Sequence, residues 1–414
     1  MVKFDNDEEL KKFISDEVLF SSEAANFLDI SNQRLNQLVQ SGKLEPIKSS
    51  KSGSLYLRKD LQDRLAELSI FDKPKNPPIA LEPISSNKAF LFGNDPRIIN
   101  EAMNYFTLQA LHNNSMKKTK PIYEELKETF NLFEPCTNYL KELSTILKVN
   151  ESDLLKSYDA VVRGFNQLNE TDHVVKIGQD FYPKLLERTE QAPPFLFMRG
   201  NLNLVNYQAV AVVGTREPSE DGRKKAMKLA SVLGHNRIVV ASGLAKGIDR
   251  AAHEGALANN NPTIAVIGTP LTKYYPRENS SLQKQISEEG LIISQFPPSS
   301  SVQRWNFPLR NSVMSGISLA TVIIEAGETS GALIQADYAL KQNRLVFIPQ
   351  SALSNEKLKW PHKYIKKEGA ESFAKIEDLI RKLENSNVLN FLNKNENFHE
   401  KNLLDVKQLS LFEE

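Results

Sequence analysis

Ala209-Val-Ala-Val-Val-Gly-Thr-Arg-Glu-Pro-Ser219 and Ile238-Val-Val-Ala-Ser-Gly-Leu-Ala-Lys-Gly-Ile-Asp-Arg-Ala-Ala-His253 are the two stretches on which the fold turns. Each opens with a short β-branched apolar run that never alternates with polar residues, so it suits a strand buried on both faces. Each run stops at a glycine-containing turn, and a helical pattern follows. Similar short β-branched apolar runs, each followed by Gly, Ser, Pro or acidic residues, recur at Thr263-Ile-Ala-Val-Ile, Gly290-Leu-Ile-Ile-Ser, Ala320-Thr-Val-Ile-Ile and Arg344-Leu-Val-Phe-Ile. Strands alternating with helices over residues 180–375 predict an α/β domain built on a doubly wound parallel sheet. Such sheets bind ligands outside the carboxyl ends of their strands.

The residues at that edge have the chemistry of anion binding. Gly214 permits a sharp turn, Thr215 offers an amide and a hydroxyl, and Arg216 can fork onto phosphate oxygens. Ser242, Gly243, Lys246 and Gly247 form a small-residue loop that opens a helix, whose unpaired amides and positive end suit an anion. Glu325-Ala-Gly-Glu-Thr-Ser-Gly-Ala-Leu is a third such loop. Three together favour a polyphosphate or a nucleic-acid backbone over a single small anion, although each alone also reads as a tight strand-to-helix connection. The chain has no G-x-G-x-x-G and no Walker lysine motif. Asp249 and His253 share a helix face, as a catalytic pair or as a pair that orders the loop. No nucleophile accompanies them.

Working outward, 414 residues exceed one ordinary core. A net charge of +1 excludes a uniformly basic coat, so any nucleic-acid surface is a local patch. Basic residues cluster at Lys48, Lys51, Arg58 and Lys59, and at Lys117, Lys118 and Lys120. The single cysteine, Cys136, rules out an intrachain disulfide, and the six histidines show no zinc-ligand spacing, so no metal or cofactor is expected. The acidic amino terminus is not a signal peptide, and no apolar run approaches the ~20 residues of a membrane span. A cytoplasmic protein is expected. By pattern, residues 1–72 form a compact helix-rich domain, and 73–84 a linker containing Lys73-Pro-Lys-Asn-Pro-Pro. Residues 85–178 form a helical segment with Leu140, Leu143 and Ile146 at helical spacing. The sheet domain spans 179–380, and 381–414 read as a flexible tail.

Val213-Gly-Thr-Arg, Ser242-Gly-Leu-Ala-Lys-Gly-Ile-Asp, His253 with Ala256-Leu257, and Tyr275-Pro-Arg-Glu-Asn resemble successive motifs of the DNA-processing (DprA/Smf) family. Phe296-Pro-Pro, Phe307-Pro-Leu-Arg-Asn, Ser315-Gly-Ile-Ser, Glu325-Ala and Ser330-Gly-Ala-Leu continue them in order. Tyr182-Pro-Lys-Leu-Leu and Pro193-Pro-Phe-Leu-Phe-Met-Arg-Gly resemble the family's lead-in. The resemblance covers residues 180–350. It implies an extended Rossmann-like fold that binds single-stranded DNA without catalysis, forms a homodimer, and loads a RecA-type recombinase in transformation. It assigns Gly214, Thr215, Arg216, Ser242, Gly243, Lys246, Gly247, Arg310 and Asn311 to the DNA, by amides and cations that need no sequence readout. Tyr274, Tyr275 and Phe307 either stack on bases or pack in the core. The chain departs from the family pattern at Gln295, Gln350 and Ser312, the last standing where an arginine is usual.

Residues 19–44 resemble the helix-turn-helix of excisionase and MerR-type proteins. Ser22 and Ser31 are expected to cap its two helices, and Leu35, Leu38 and Val39 to face inward. Asn32, Gln33, Arg34, Asn36 and Gln37 are then left for duplex DNA, with Lys48 and Lys51 on a hairpin wing. A small interaction module that does not touch DNA remains open. Gln408-Leu-Ser-Leu-Phe-Glu-Glu resembles the peptide that docks on the polymerase sliding clamp, with Gln408, Leu409, Leu411 and Phe412 as anchors. A short helix packed on the body is its alternative. Rival readings of the whole chain are a nucleotide sensor of a stress or phage-defence system, a phosphoribohydrolase-type enzyme whose Pro-Gly-Gly-x-Gly-Thr loop is absent, and a transcription regulator led by the front domain.

Overall fold

The computed structural model describes residues 6–28, 32–40, 42, 44–50, 53–62 and 95–385. The chain divides into two units, Met1–Lys75 and Asn76–Glu414.

In the first unit, helix α1 (Asp7–Glu17) runs into strand β1 (Val18–Phe20), and helices α2 (Ser21–Phe27) and α3 (Asn32–Gln40) follow. A hairpin of β2 (Lys48–Ser50) and β3 (Gly53–Leu57) completes a three-stranded antiparallel sheet in the order β1-β3-β2. Ala24, Ala25 and Leu28 of the first helical pattern meet Leu35, Leu38, Leu19 and Tyr56 in one small core. Ser22 is not the cap expected for α2. The cap position is two residues earlier, at Phe20, whose amide donates to the Glu23 carboxylate at 2.8 Å. Ser21 instead ties the helix start to the hairpin, since its hydroxyl donates to Ser54 O at 3.2 Å and accepts from Ser54 N at 3.1 Å. Ser31, Lys51, the side chains of Gln33, Arg34 and Gln37, and the tail residues Gln408, Leu409, Leu411 and Phe412 lie outside the described residues.

Among its described residues the second unit begins with helices α4 (Pro96–Leu111), α5 (Met116–Thr129), α6 (Leu140–Leu147) and α7 (Glu151–Phe165). Strand β4 (Asp172–Lys176), helix α8 (Lys184–Glu187) and strand β5 (Phe195–Gly200) lead into the repeating part. There β6 (Ala209–Val213), α9 (Glu220–His235), β7 (Val239–Ser242), α10 (Ile248–Leu257) and β8 (Thr263–Val266) alternate. The alternation continues through α11 (Ser280–Glu289), β9 (Leu291–Ser294), α12 (Asn306–Gly316), β10 (Ala320–Ile323), α13 (Gly331–Lys341) and β11 (Leu345–Pro349). Short helices α14 (Gln350–Leu353) and α15 (Trp360–Tyr364), strand β12 (Ala370–Phe373) and helix α16 (Ile376–Asn385) end it.

The nine strands form one sheet in the order β12-β11-β10-β6-β7-β8-β9-β5-β4. From β12 to β9 every pair is parallel, whereas β5 and β4 add an antiparallel extension. The six strands read from the sequence are all present. The pattern did not announce β4, β5 and β12. β4 is bounded by Asp172 and Lys176, β5 directly follows two prolines, and β12, Ala370-Glu-Ser-Phe, is a half-buried edge strand without a continuous apolar run.

Alternate residues of the parallel strands face cores on opposite sides of the sheet, which is why the runs are apolar throughout. Val210, Val212, Val240 and Val322 face α9, α10 and α16. Ala209, Ala211, Val239, Ile264 and Ile293 face α12 and α13. The described helices of this segment share one core with the sheet. Tyr105 and Phe106 of α4 lie 5.5 and 6.0 Å from Phe195 of β5, ring centre to ring centre, and Phe106 lies 5.4 Å from Phe197. Glu101 of α4 also pairs with Lys176 of β4 at 2.7 Å. A boundary at residue 178 therefore separates nothing: β4 belongs to the sheet, and the helices share its aromatic core.

Candidate nucleic-acid interface

Strand order reverses between β6 and β10, which opens the crevice where open α/β sheets hold their ligands. Here the crevice is built tightly. A Cβ on Gly214 would stand 2.8 Å from the Glu325 carbonyl oxygen and 2.5 Å from the Ile248 side chain, so only glycine fits. The Thr215 amide donates to Glu325 O at 2.7 Å, Thr215 O accepts from Ile248 N at 3.1 Å, and the Thr215 hydroxyl accepts from Glu217 N at 3.2 Å. Thr215 thus stitches three loops together, and Arg216 beyond it is exposed with no ion pair among the described residues.

The loop after β7 rests on a buried guanidinium. Arg310, 6% exposed, enters from α12 and donates through one nitrogen to the carbonyls of both Gly243 and Val266. Its guanidinium occupies the space that a Cβ on Gly243 would need. Burial brings its pKa down to about 10, against the opposing pull of Asp249. Asp249 is also buried and accepts from Ala245 N at 3.4 Å; burial raises its pKa, while Arg310 and the loop amides oppose the rise. Ser242 donates to Val212 O at 2.7 Å, and the Asn311 amide donates to Gly331 O at 3.3 Å, both from buried positions. Gly247 takes φ +77° against the backbone of Thr215 and Arg216, which no side chain would tolerate. Of the residues assigned to DNA, Ser242, Gly243, Arg310 and Asn311 therefore build the loops from beneath. Ser312 likewise turns inward, its hydroxyl on Leu309 O at 2.7 Å. Lys246 is exposed and ion-paired with Glu278 at 2.5 Å.

Asp249 and His253 find separate partners. His253 Nδ1 meets the Thr263 hydroxyl at 2.8 Å, and that hydroxyl donates onward to Val240 O at 2.7 Å. The pair therefore orders the loop and braces β8. Burial, aided by the positive charge of Arg310, pushes His253 down to about 3. The unfolded chain takes up a proton near pH 6.5 that the folded chain refuses until about pH 3, so this stability is complete above pH 6.5 and declines below it. Denaturant melts between pH 6.5 and 4 should lose up to ~1.4 kcal/mol per pH unit from this residue. His253→Gln should remove that slope; an unchanged slope would place the proton elsewhere.

A rim of aromatic and cationic side chains continues from Lys246. Asn279, one residue after Glu278, donates to the carbonyls of Leu244 and Ala245 at 3.0 and 3.2 Å, joining the loop after β7 to the one after β8. That second loop exposes Tyr274 and Tyr275, at 44% and 47%, and Tyr275 lies 5.0 Å from the half-buried ring of Phe307. Trp305 stands two residues before Phe307 and is 58% exposed, whereas Trp360 is buried. Lys273, Arg277 and Arg304 are exposed on the same segments, and Lys273 donates to Ser300 O at 3.1 Å. Sequence reading passed over Trp305, Arg304, Lys273 and Arg277. The available signal was an Arg-Trp pair just before Phe307-Pro-Leu-Arg-Asn, but a lone tryptophan in a sequence reads equally well as core. In the first unit, Asn32, Asn36 and Lys48 are exposed.

A family model described as DNA recombination-mediator protein A matches residues 173–384, half of the chain. The chain is 39% identical to the DNA processing protein DprA of Streptococcus pneumoniae over 209 residues, 50% of this chain and 73% of that protein. It is 32% identical to DprA of Bacillus subtilis over 217 residues, 52% of this chain and 73% of that one. It is also 43% identical to the protein Smf of Synechocystis over 175 residues, 41% of this chain and 44% of that protein. The X-ray structure of DprA from Streptococcus pneumoniae superposes with a TM-score of 0.53 at 28% identity, covering 72% of this chain and 98% of that one. With the strand order, the loop geometry and these matches in agreement, the chain belongs to the DNA recombination-mediator protein A (DprA/Smf) family.

Proposed function

We propose that this protein binds single-stranded DNA along the rim from Arg216 through Lys246 to Tyr274, Tyr275 and Trp305, as a mediator of recombination that acts by binding. The observation that carries the proposal is the rim itself, where three exposed aromatic rings lie among exposed cations on contiguous loops. Single strands present unpaired bases for stacking and phosphates for cations, a combination that duplex DNA lacks. The candidate acid–base pair, Asp249 and His253, is engaged in holding the loop, which supports a binding role. Recombinase loading and homodimerisation enter from the family resemblance, and clamp docking from Gln408, Leu409, Leu411 and Phe412. In the first unit, two helices and an antiparallel hairpin, with exposed Asn32, Asn36 and Lys48, favour duplex binding of the winged helix-turn-helix kind.

Tryptophan fluorescence tests the rim directly. Stacking on an oligonucleotide should quench Trp305, while Trp360 reports little because it is buried. Trp305→Ala should abolish the quench and weaken single-strand binding by ~1–3 kcal/mol, roughly 5- to 150-fold. A chain lacking residues 1–75 should keep this behaviour and lose duplex affinity alone. Full affinity in Trp305→Ala would remove the tryptophan from the track, and failure of any single strand to bind at low salt would overturn the proposal.

A further inference from the structure

The crevice at the strand reversal contains a carboxylate. Glu325 follows β10, and its side chain reaches across to the start of α9. It accepts from Ser219 N at 3.1 Å and from the Ser219 hydroxyl at 2.9 Å, while the same hydroxyl accepts from Gly222 N at 2.9 Å and caps the helix. A Cβ on Gly222 would collide with Glu325 Oε2, so glycine at this position leaves room for the carboxylate. The first turn of α9 adds Glu220 and Asp221. A Rossmann-like nucleotide site needs a bare helix start here, with amides turned to a phosphate. In this chain the Ser219 hydroxyl occupies the Gly222 amide, and the Glu325 carboxylate takes the Ser219 amide and hydroxyl hydrogen and brings negative charge to the helix start.

The structure assigns to Glu325 the role of an internal anion that closes the switch-point crevice to nucleotide phosphates. This goes beyond the proposed single-strand binding and stands independently of it. A nucleoside diphosphate would have to displace the carboxylate from Ser219 and sit beside Glu220 and Asp221, with like charges only a few ångströms apart. A DNA strand does not need to enter the crevice, because the rim runs from Arg216 at its mouth away to Lys246, Tyr274, Tyr275 and Trp305. Glu325 is thus a specificity residue that leaves the edge to a continuous backbone and denies it to small polyphosphates. Without that carboxylate, the Ser219 amide and hydroxyl at the positive end of α9 are released to an outside anion.

The experiment titrates the full chain with pyrophosphate and with ADP, following amide chemical shifts of Ser219 and Gly222, in wild type, Glu325→Gln and Glu325→Ala. Wild type should show no saturable shift up to millimolar ligand. Glu325→Ala should bind at least tenfold more tightly than wild type, and Glu325→Gln, which loses the charge but keeps its bulk, should fall between them. Both variants should bind single-stranded DNA at least as tightly as wild type, because losing a carboxylate near Arg216 removes repulsion and no phosphate contact, a readout separate from the polyphosphate titration. A second measurement covers the case in which Glu325→Ala folds poorly. Gly222→Ala should expel the carboxylate and itself admit pyrophosphate, or unfold in a way that Gly222→Ala with Glu325→Ala repairs. Saturable ADP binding at these amides in wild type would overturn the assignment. So would a folded Glu325→Ala chain that admits no pyrophosphate, or a Gly222→Ala defect that removing Glu325 leaves unchanged.

Discussion

Arg310→Ala should destabilise the second unit by ~3–5 kcal/mol, read as a lower midpoint in urea melts with the slope retained. Three losses combine. The carbonyls of Gly243 and Val266 lose their donor, Asp249 is left buried without the opposing charge, and a cavity opens beneath the loop. Arg310→Lys should recover little, because an ammonium cannot reproduce the planar span of the guanidinium. Single-strand binding would then fall only as the folded fraction falls. If Arg310→Ala instead melts like wild type and binds DNA poorly, the arginine is a phosphate contact and the buried arrangement described above is not its working one.

Arg216→Ala with Lys246→Ala should behave in the opposite way, leaving the urea midpoint nearly unchanged and weakening single-strand binding by roughly 10- to 100-fold near 0.1 M salt. Both side chains are exposed, and the ion pair lost among the described residues, Lys246 with Glu278, is a surface pair contributing ~0–1 kcal/mol. The more specific signature is the salt dependence. Each cation that neutralises a phosphate of a single strand contributes ~0.7 to the slope of log K against log salt, so the double variant should lose about 1.4. Reduced affinity with an unchanged slope would mean that these residues shape the loop without touching phosphate. The two experiments divide one group of sequence-assigned residues into a part that supports the loops and a part that meets the ligand.

By itself the sequence determined the class of fold and the edge at which to look. Short β-branched runs such as Ala209–Val213 and Val239–Ser242 suit strands covered on both faces, and their alternation with helical segments points to parallel order. The ordered motifs from Val213-Gly-Thr-Arg to Ser330-Gly-Ala-Leu likewise led to the family. Tertiary structure alone decided which of the assigned residues face outward. Arg216 and Arg310 are both arginines beside a small-residue loop, yet one is exposed and the other carries the loop from below, because α12 packs its side chain between β7 and β8. Likewise, the occupation of α9's start by Glu325 depends on β10 lying beside β6, a pairing between segments more than a hundred residues apart. Burial and long-range pairing arise from how the strands are ordered in the sheet, and local residue types record neither.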